Sequence, residues 1–189
     1  MNNMPEDRRI LYTKMVLRES LLTLMKDQPI NKISVTELCK HADLNRNTFY
    51  THYDSPLHLL SSIEESFFEV IRGVIERSFM VGIDHGSLLE ICEHIAANGD
   101  LCAILFSDHG NGDYLKRVIY ILHDRSIAAW KEYAPHLPVD TLETLYSFIA
   151  SGSAAIIADW VRTGMSQSPQ QISEFIDQAT RSVEQSFLS

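Results

Sequence analysis

No glycine occurs in the first 72 residues, and the prolines stand far apart, at Pro5, Pro29, Pro56, Pro135, Pro138 and Pro169. Glycine and proline are the strongest local terminators of regular structure, so this spacing leaves long uninterrupted segments. Each segment carries its apolar residues at helical period, and no stretch of useful length alternates apolar with polar. The chain therefore reads as all-α, with about nine helices.

The first helix carries Ile10, Leu17, Leu21, Leu24 and Met25 as its stripe and ends near Gln28-Pro29. Ser34-Val35-Thr36-Glu37 is a capping box, in which serine accepts a first-turn amide and glutamate reaches back. It opens a short helix with Val35, Leu38, Cys39 and Ala42 on one face. After Asp43-Leu44, Asn45 can cap a third helix that turns Phe49, and Tyr53 with it, inward. Ser55-Pro56 starts a fourth, with proline at the position where its missing N–H costs nothing; Leu57, Leu60, Phe67, Ile71 and Val74 mark its stripe to about Gly82. Further on, Ser87-Leu88-Leu89-Glu90 is a second capping box and Gly110-Asn111-Gly112 a loop. Helices are expected over about Asp113 to Tyr133 and Val139 to Thr163. Ser168-Pro169-Gln170-Gln171 caps a last helix whose apolar stripe is Ile172, Phe175, Ile176, Ala179, Val183 and Phe187.

Composition narrows the function. Against 16 Lys+Arg stand 25 Asp+Glu, a net charge of −9, which argues against a histone-like or polybasic binder. The charge is unevenly placed, however. Residues 8–53 hold 8 Lys+Arg and 4 acids, a net +4; Glu6 and Asp7 add −2, which leaves −11 on residues 54–189. A basic head can meet phosphates while an acidic body is repelled from a duplex. MNNMPEDRR has no apolar stretch of signal-peptide type, and the longest uncharged stretch of the C-terminal half, Thr144 to Ala158, is short for a membrane helix and rich in Ser and Gly. Cys39, Cys92 and Cys102 are odd in number and lack CxxC spacing, which suits buried thiols in a reducing cytoplasm.

Two short helices joined by a tight turn, the second about two turns long and rich in Arg, Asn, Thr and Tyr, have the geometry of a helix-turn-helix over about residues 34–53. In Asn45-Arg46-Asn47-Thr48-Phe49-Tyr50-Thr51-His52-Tyr53, Phe49 faces the platform while Arg46, Asn47 and Tyr50 face outward. Arg can pair with guanine O6 and N7, Asn with adenine N6 and N7, and hydroxyls with phosphates. On the pattern alone, a solvated helix with a polar face is the competing reading.

Residues 8–60 resemble the DNA-binding domain of the TetR family of bacterial transcriptional regulators. The segment ISVTELCKHADLNRNTFYTHYDSPLHLL carries the resemblance, above all Thr48-Phe49-Tyr50-Thr51-His52-Tyr53. It implies that Ser34, Thr36, Thr48, Tyr50 and His52 hold the DNA backbone, that Arg46, Asn47 and Thr51 read bases, and that Asn45 belongs to the same DNA-binding set. Two positions depart from the family pattern. Asp43 stands where glycine is usual, and Asp tolerates a left-handed conformation better than most residues. Pro56 stands where lysine is common, removing one phosphate contact, although the backbone amides there can still face a phosphate.

The resemblance divides the chain into a DNA-binding domain, residues 1–54, and a regulatory and dimerisation domain, residues 55–189. Asn98-Gly99-Asp100-Leu101, then Ile149 to Trp160, Gly164 and Ser168-Pro169, look like one recurring C-terminal type that includes regulators related to dihydroxyacetone kinase control. Small residues from Ala150 to Ala155 permit close helix approach, within one subunit or between two, and the last two helices of two subunits would make a four-helix homodimer interface. A dimer places two recognition helices on two half-sites of a palindromic double-stranded operator. Phe106, Tyr114, Tyr120, Trp130, Tyr146 and Trp160 are candidates to line an effector pocket, or are ordinary core. The spacings of His94, His109 and His123 give no metal site, no cofactor is implied, and no motif of an enzyme is present. The expectation is a cytoplasmic, ligand-responsive regulator, a repressor, with control by a protein partner as the alternative.

Overall fold

A computed structural model of the chain describes residues 6–81, 85–107 and 113–188. The described residues form α-helices and one 3-10 turn, with no strand: α1 (Glu6–Met25), the 3-10 turn (Ile30–Lys32), α2 (Val35–His41), α3 (Arg46–Tyr50), α4 (Pro56–Val81), α5 (His85–Ala97), α6 (Gly99–Leu105), α7 (Asp113–Ile119), α8 (His123–Tyr133), α9 (Val139–Arg162) and α10 (Pro169–Leu188). The chain divides into two compact units, 1–67 and 68–189, and the division falls within α4.

In the first unit α1 packs on α2, and α2 on α3. Leu17, Leu21, Leu22 and Met25 are the buried face of α1, and they share the core with Leu38, Cys39, Ala42, Phe49, Leu59, Leu60 and Ile63. Ile10, expected in that stripe, is exposed, as are its neighbours 8–12, so the first turns of α1 run past the core. Leu57 is exposed as well. The inward face of α4 begins with Leu59 and Leu60, because Leu57 lies in the first turn and outside their arc.

In the second unit α10 packs on α5 and α9, and α9 also receives α6, α7 and α8. Ala134, Leu142, Leu145 and Leu188 form one buried cluster, with Ile127, Trp130 and Val183 packed against it. The helix expected over 113–133 is two helices, broken at residues 120–122. Tyr146 of α9 donates to the carbonyl of Ile119 at the end of α7 (2.6 Å), a tertiary bond that fixes the break. Ser87 is not a cap, since α5 begins earlier, at His85. Ser168 does cap α10: its hydroxyl accepts from the Gln171 amide (3.2 Å) and its own N–H donates to Gln171 Oε1 (2.9 Å). The loop Gly110-Asn111-Gly112 and His109 lie outside the described residues.

The Asn98-Gly99 and Trp160–Ser168 runs have a structural reason. A Cβ on Gly99 would stand 2.6 Å from Met165 Cε, the flexible end of that side chain, so glycine lets Met165 lie as it does on the start of α6. Gly164 (φ 81°) and Met165 (φ 53°) form the left-handed end of α9, and Met165 N–H donates back to the Trp160 carbonyl (2.8 Å), the closure of a Schellman motif. Trp160 Nε1 donates to Gln167 O (2.9 Å) and pins the turn.

The uncharged stretch 144–158 understates α9. The helix that contains it runs 24 residues and, by length and composition alone, is apolar enough to cross a membrane. Leu142, Leu145, Tyr146, Trp160 and Val161 are nevertheless buried within the unit, as in a core helix with one apolar face left uncovered.

Candidate nucleic-acid interface

The local sequence builds α2 and α3 as expected, with one difference in the caps. Ser34 Oγ accepts from the Glu37 N–H (3.1 Å), while the Glu37 carboxylate accepts from Gln28 Nε2 (2.8 Å) and so ties α2 to the segment after α1. Asp43 takes φ 50°, and Leu44 N–H donates to the Cys39 carbonyl (2.9 Å). That is a left-handed cap closing α2, with aspartate where glycine would carry no Cβ penalty. Asn45 Oδ1 then accepts from the Asn47 N–H (2.8 Å) and starts α3.

Turn strain makes a prediction. Asp43→Gly is expected to hold or raise the thermal stability of the first unit by up to about 1 kcal/mol, whereas Asp43→Val is expected to lower it by about 1–2 kcal/mol. Thermal melts followed by circular dichroism check both signs.

Phe49 is fully buried and Tyr53 nearly so. Around Phe49 the ring of Tyr50 stands edge-on at 5.6 Å and that of Tyr53 at 6.0 Å. Ser34, Thr36, Asn45, Arg46, Asn47, Tyr50 and Thr51 are exposed, and Thr48 and His52 half-buried. Each residue of the set therefore reaches solvent while the apolar residues between them anchor the helix. Their chemistry differs. Arg46 and Asn47, in the first turn of α3, carry donors and an amide suited to base edges. The oxygens of Ser34 and Asn45 already accept backbone amides, leaving the Ser34 O–H and the Asn45 NH2 as donors. Thr51 is less apt for reading, because its hydroxyl donates to the Asn47 carbonyl (2.9 Å). Cys39 lies beneath, its thiol pushed up by burial against the opposing charge of Arg46. At the start of α4, Ser55 Oγ accepts from the His58 N–H (3.1 Å).

Comparison with known families decides the class. A TetR-type pattern described as a transcriptional regulator C-terminal region matches residues 85–182, more than half of the chain. The chain belongs to the TetR family of transcriptional regulators. No curated protein matches this TetR-family chain in sequence. Its fold is shared with solved structures. A TetR transcriptional regulator from Streptococcus agalactiae 2603V is 23% identical, with 95% of this chain and 99% of that one covered and a TM-score of 0.64. A transcriptional regulator from Aquifex aeolicus VF5 is 19% identical over 90% and 99%, with a TM-score of 0.67. The dihydroxyacetone kinase operon activator DhaS is 19% identical over 94% and 98%, with a TM-score of 0.57. These matches are to regulators, not enzymes.

In the second unit of this TetR-family chain the six aromatic candidates stand in separate groups of ring contacts. Phe106 and Phe68 flank Tyr114 at 6.4 and 6.2 Å, with the Arg117 guanidinium 4.0 Å above the Phe68 ring. Tyr120, Trp130 and Tyr146 belong to a second row, through His123. Trp160 serves the α9–α10 turn. Two open grooves lie elsewhere, between α9 and α10. One of about 570 Å³ is lined by Asp140, Thr144, Leu145, Phe148, Val183 and Phe187; its neighbour, of about 240 Å³, is lined by Phe148, Gly152, Ile156, Phe175 and Ala179 among others. Phe148 borders both. In the sequence it is not distinguished, because it sits in an apolar run with no local sign of which face is covered. Among the described residues no group of His, Cys, Asp and Glu could hold a metal ion, and the three cysteines are buried and form no disulfide.

Proposed function

We propose that this regulator is a sequence-specific DNA-binding repressor of the cytoplasm, which binds a palindromic double-stranded operator as a homodimer and responds to a small-molecule effector. The observation that carries the reading is the outward display of Arg46, Asn47 and Tyr50 from a helix anchored by fully buried Phe49. Ser34, Thr36, Thr48, Tyr50 and His52 hold phosphates, Arg46 and Asn47 read base edges, and Asn45 and Thr51 lie in the same footprint. The DNA-binding part is residues 1–54, within which residues 8–53 carry the basic excess, and residues 55–189 serve regulation and dimerisation without a membrane.

The homodimer uses the α9–α10 face. Phe148, Phe175 and Phe187 are exposed there, and a Cβ added to Gly152 meets no heavy atom within 4 Å, so a partner helix can approach. The effector shifts the population of dimer conformations it binds better and thereby changes the separation of the recognition helices. Phe106, Tyr114, Tyr120, Trp130, Tyr146 and Trp160 line its site only if it opens between their separate groups. Their separation favours a second reading, control by a protein partner.

Tyr50→Ala is expected to weaken binding to all DNA, and Arg46→Ala to lower mainly the preference for operator, each by about 1–3 kcal/mol. Gel-shift titration on operator and scrambled duplexes measures both; unchanged affinity in both variants removes α3 from the interface.

A further inference from the structure

His123 opens α8, and both of its ring nitrogens meet carboxylates. Nδ1 lies 2.8 Å from Asp124 Oδ1 on its own helix, and Nε2 lies 2.6 Å from Glu143 Oε2 on α9. The ring is partly exposed, Glu143 about half, and Asp124 fully. From the turn before α8 the Tyr120 ring stands 5.3 Å away, and from α9 the Tyr146 ring meets it edge-on at 5.0 Å. Neutral imidazole has one N–H; its other nitrogen offers a lone pair. Two carboxylates at hydrogen-bond distance from both nitrogens are satisfied together only by imidazolium. In the neutral ring one lone pair faces a carboxylate, so one bridge opens and the other loses its charge assistance; either way the Glu143 bridge is weakened.

From this geometry we infer that His123 is a pH-sensitive clamp, which as imidazolium holds the start of α8 on α9 through Glu143 and on deprotonation loosens the α7–α8 corner. The clamp matters at this place because α8 has no fully buried residue; its hold on the unit is through partly buried Ile127 and Trp130. A second tether, Tyr146 Oη to the Ile119 carbonyl, does not titrate with it, since burial pushes the Tyr146 phenol up to about 12. The N-terminal end of α8 presents positive helix-dipole charge, which opposes a cation, so the carboxylates must outweigh it. They do: hydrogen bonds to Asp124 and then Glu143 raise His123 above its ordinary 6.5. The folded value therefore exceeds the unfolded one. The contribution of the clamp is full below about 6.5 and is lost as pH rises through the folded value.

The test uses the full chain with 15N-labelled histidine, its His123 signal assigned by His123→Gln. The expected His123 midpoint lies above 6.5 and falls toward it in Glu143→Gln and, as a second variant at an exposed carboxylate, in Asp124→Asn. Hydrogen exchange in the first two turns of α8, corrected for intrinsic base catalysis, is expected to quicken about tenfold between about pH 6 and about pH 8.5 in the wild type. In Glu143→Gln it is already fast at the lower pH. A wild-type midpoint at or below 6.5, a midpoint that both variants leave in place, or wild-type exchange independent of pH overturns the clamp.

Discussion

Phe49→Ala is expected to abolish DNA binding by unfolding the first unit, without removing a single contact to DNA. Its ring has no exposed surface and packs against those of Tyr50 and Tyr53. Truncating a buried phenylalanine costs about 3–5 kcal/mol. Whole domains are stable by about 5–15 kcal/mol, and a unit of this size belongs near the lower end because small cores bury a smaller share of their surface. One substitution therefore consumes most of its margin. The expected result is loss of amide protection across α1, α2 and α3, with retained protection in the helices of 68–189, and operator affinity reduced far beyond the effect of Tyr50→Ala. Hydrogen exchange by mass spectrometry, paired with gel shifts, separates the two cases. Native-like protection in α1–α3 together with a Tyr50→Ala-sized loss would show that Phe49 is not the keystone of the motif.

What could be read from the sequence was local. Ser34, Asn45 and Ser168 cap because their side chains reach amides two or three residues on, and Asp43 turns left-handed because the chain must reverse between two helices only a few residues apart. Such interactions are complete within a short window. The break at 120–122 is different: no glycine or proline marks it, and the bond that fixes it comes from Tyr146 on α9. Glu37 likewise takes a partner from outside its box, Gln28. Apolar periodicity found the helices but not what covers them. Ile10, Leu57, Phe175 and Phe187 lie at helical spacing with buried neighbours and are themselves exposed, because a stripe records hydrophobicity and not the width of the surface packed on it. The grouping of the aromatic candidates was not legible for the same reason, since it depends on contacts between distant segments. In the recognition motif, by contrast, one buried ring and its exposed neighbours are all within five residues, and the reading of Phe49 inward and Arg46, Asn47 and Tyr50 outward follows from Phe49 being the only fully apolar side chain among them.

Phe148→Asp is expected to leave the fold of each chain intact and to turn the proposed dimer into monomers. In a single chain Phe148 is 66% exposed, so a charge there costs the monomer little. At a two-fold interface every residue acts twice, and an aromatic anchor at the centre of an apolar patch is worth about 2 kcal/mol or more. Two lost anchors and two buried carboxylates then weaken the dimer by at least about 4 kcal/mol, roughly a thousandfold in dissociation constant. Phe148 is the residue to choose because it borders both grooves between α9 and α10, while Phe175 and Phe187 each border one. Sedimentation equilibrium at micromolar protein gives the mass, and thermal melting shows whether the chain still folds. DNA affinity should fall with dimerisation, since one recognition helix reads only one half-site; raising the protein concentration should recover it. A lipid cover for the same face would give another pattern: Phe148→Asp would reduce binding to vesicles and leave the sedimenting mass unchanged. A variant still dimeric at micromolar concentration places the subunit contact on another face and leaves the exposed rings of α9 and α10 to a different partner.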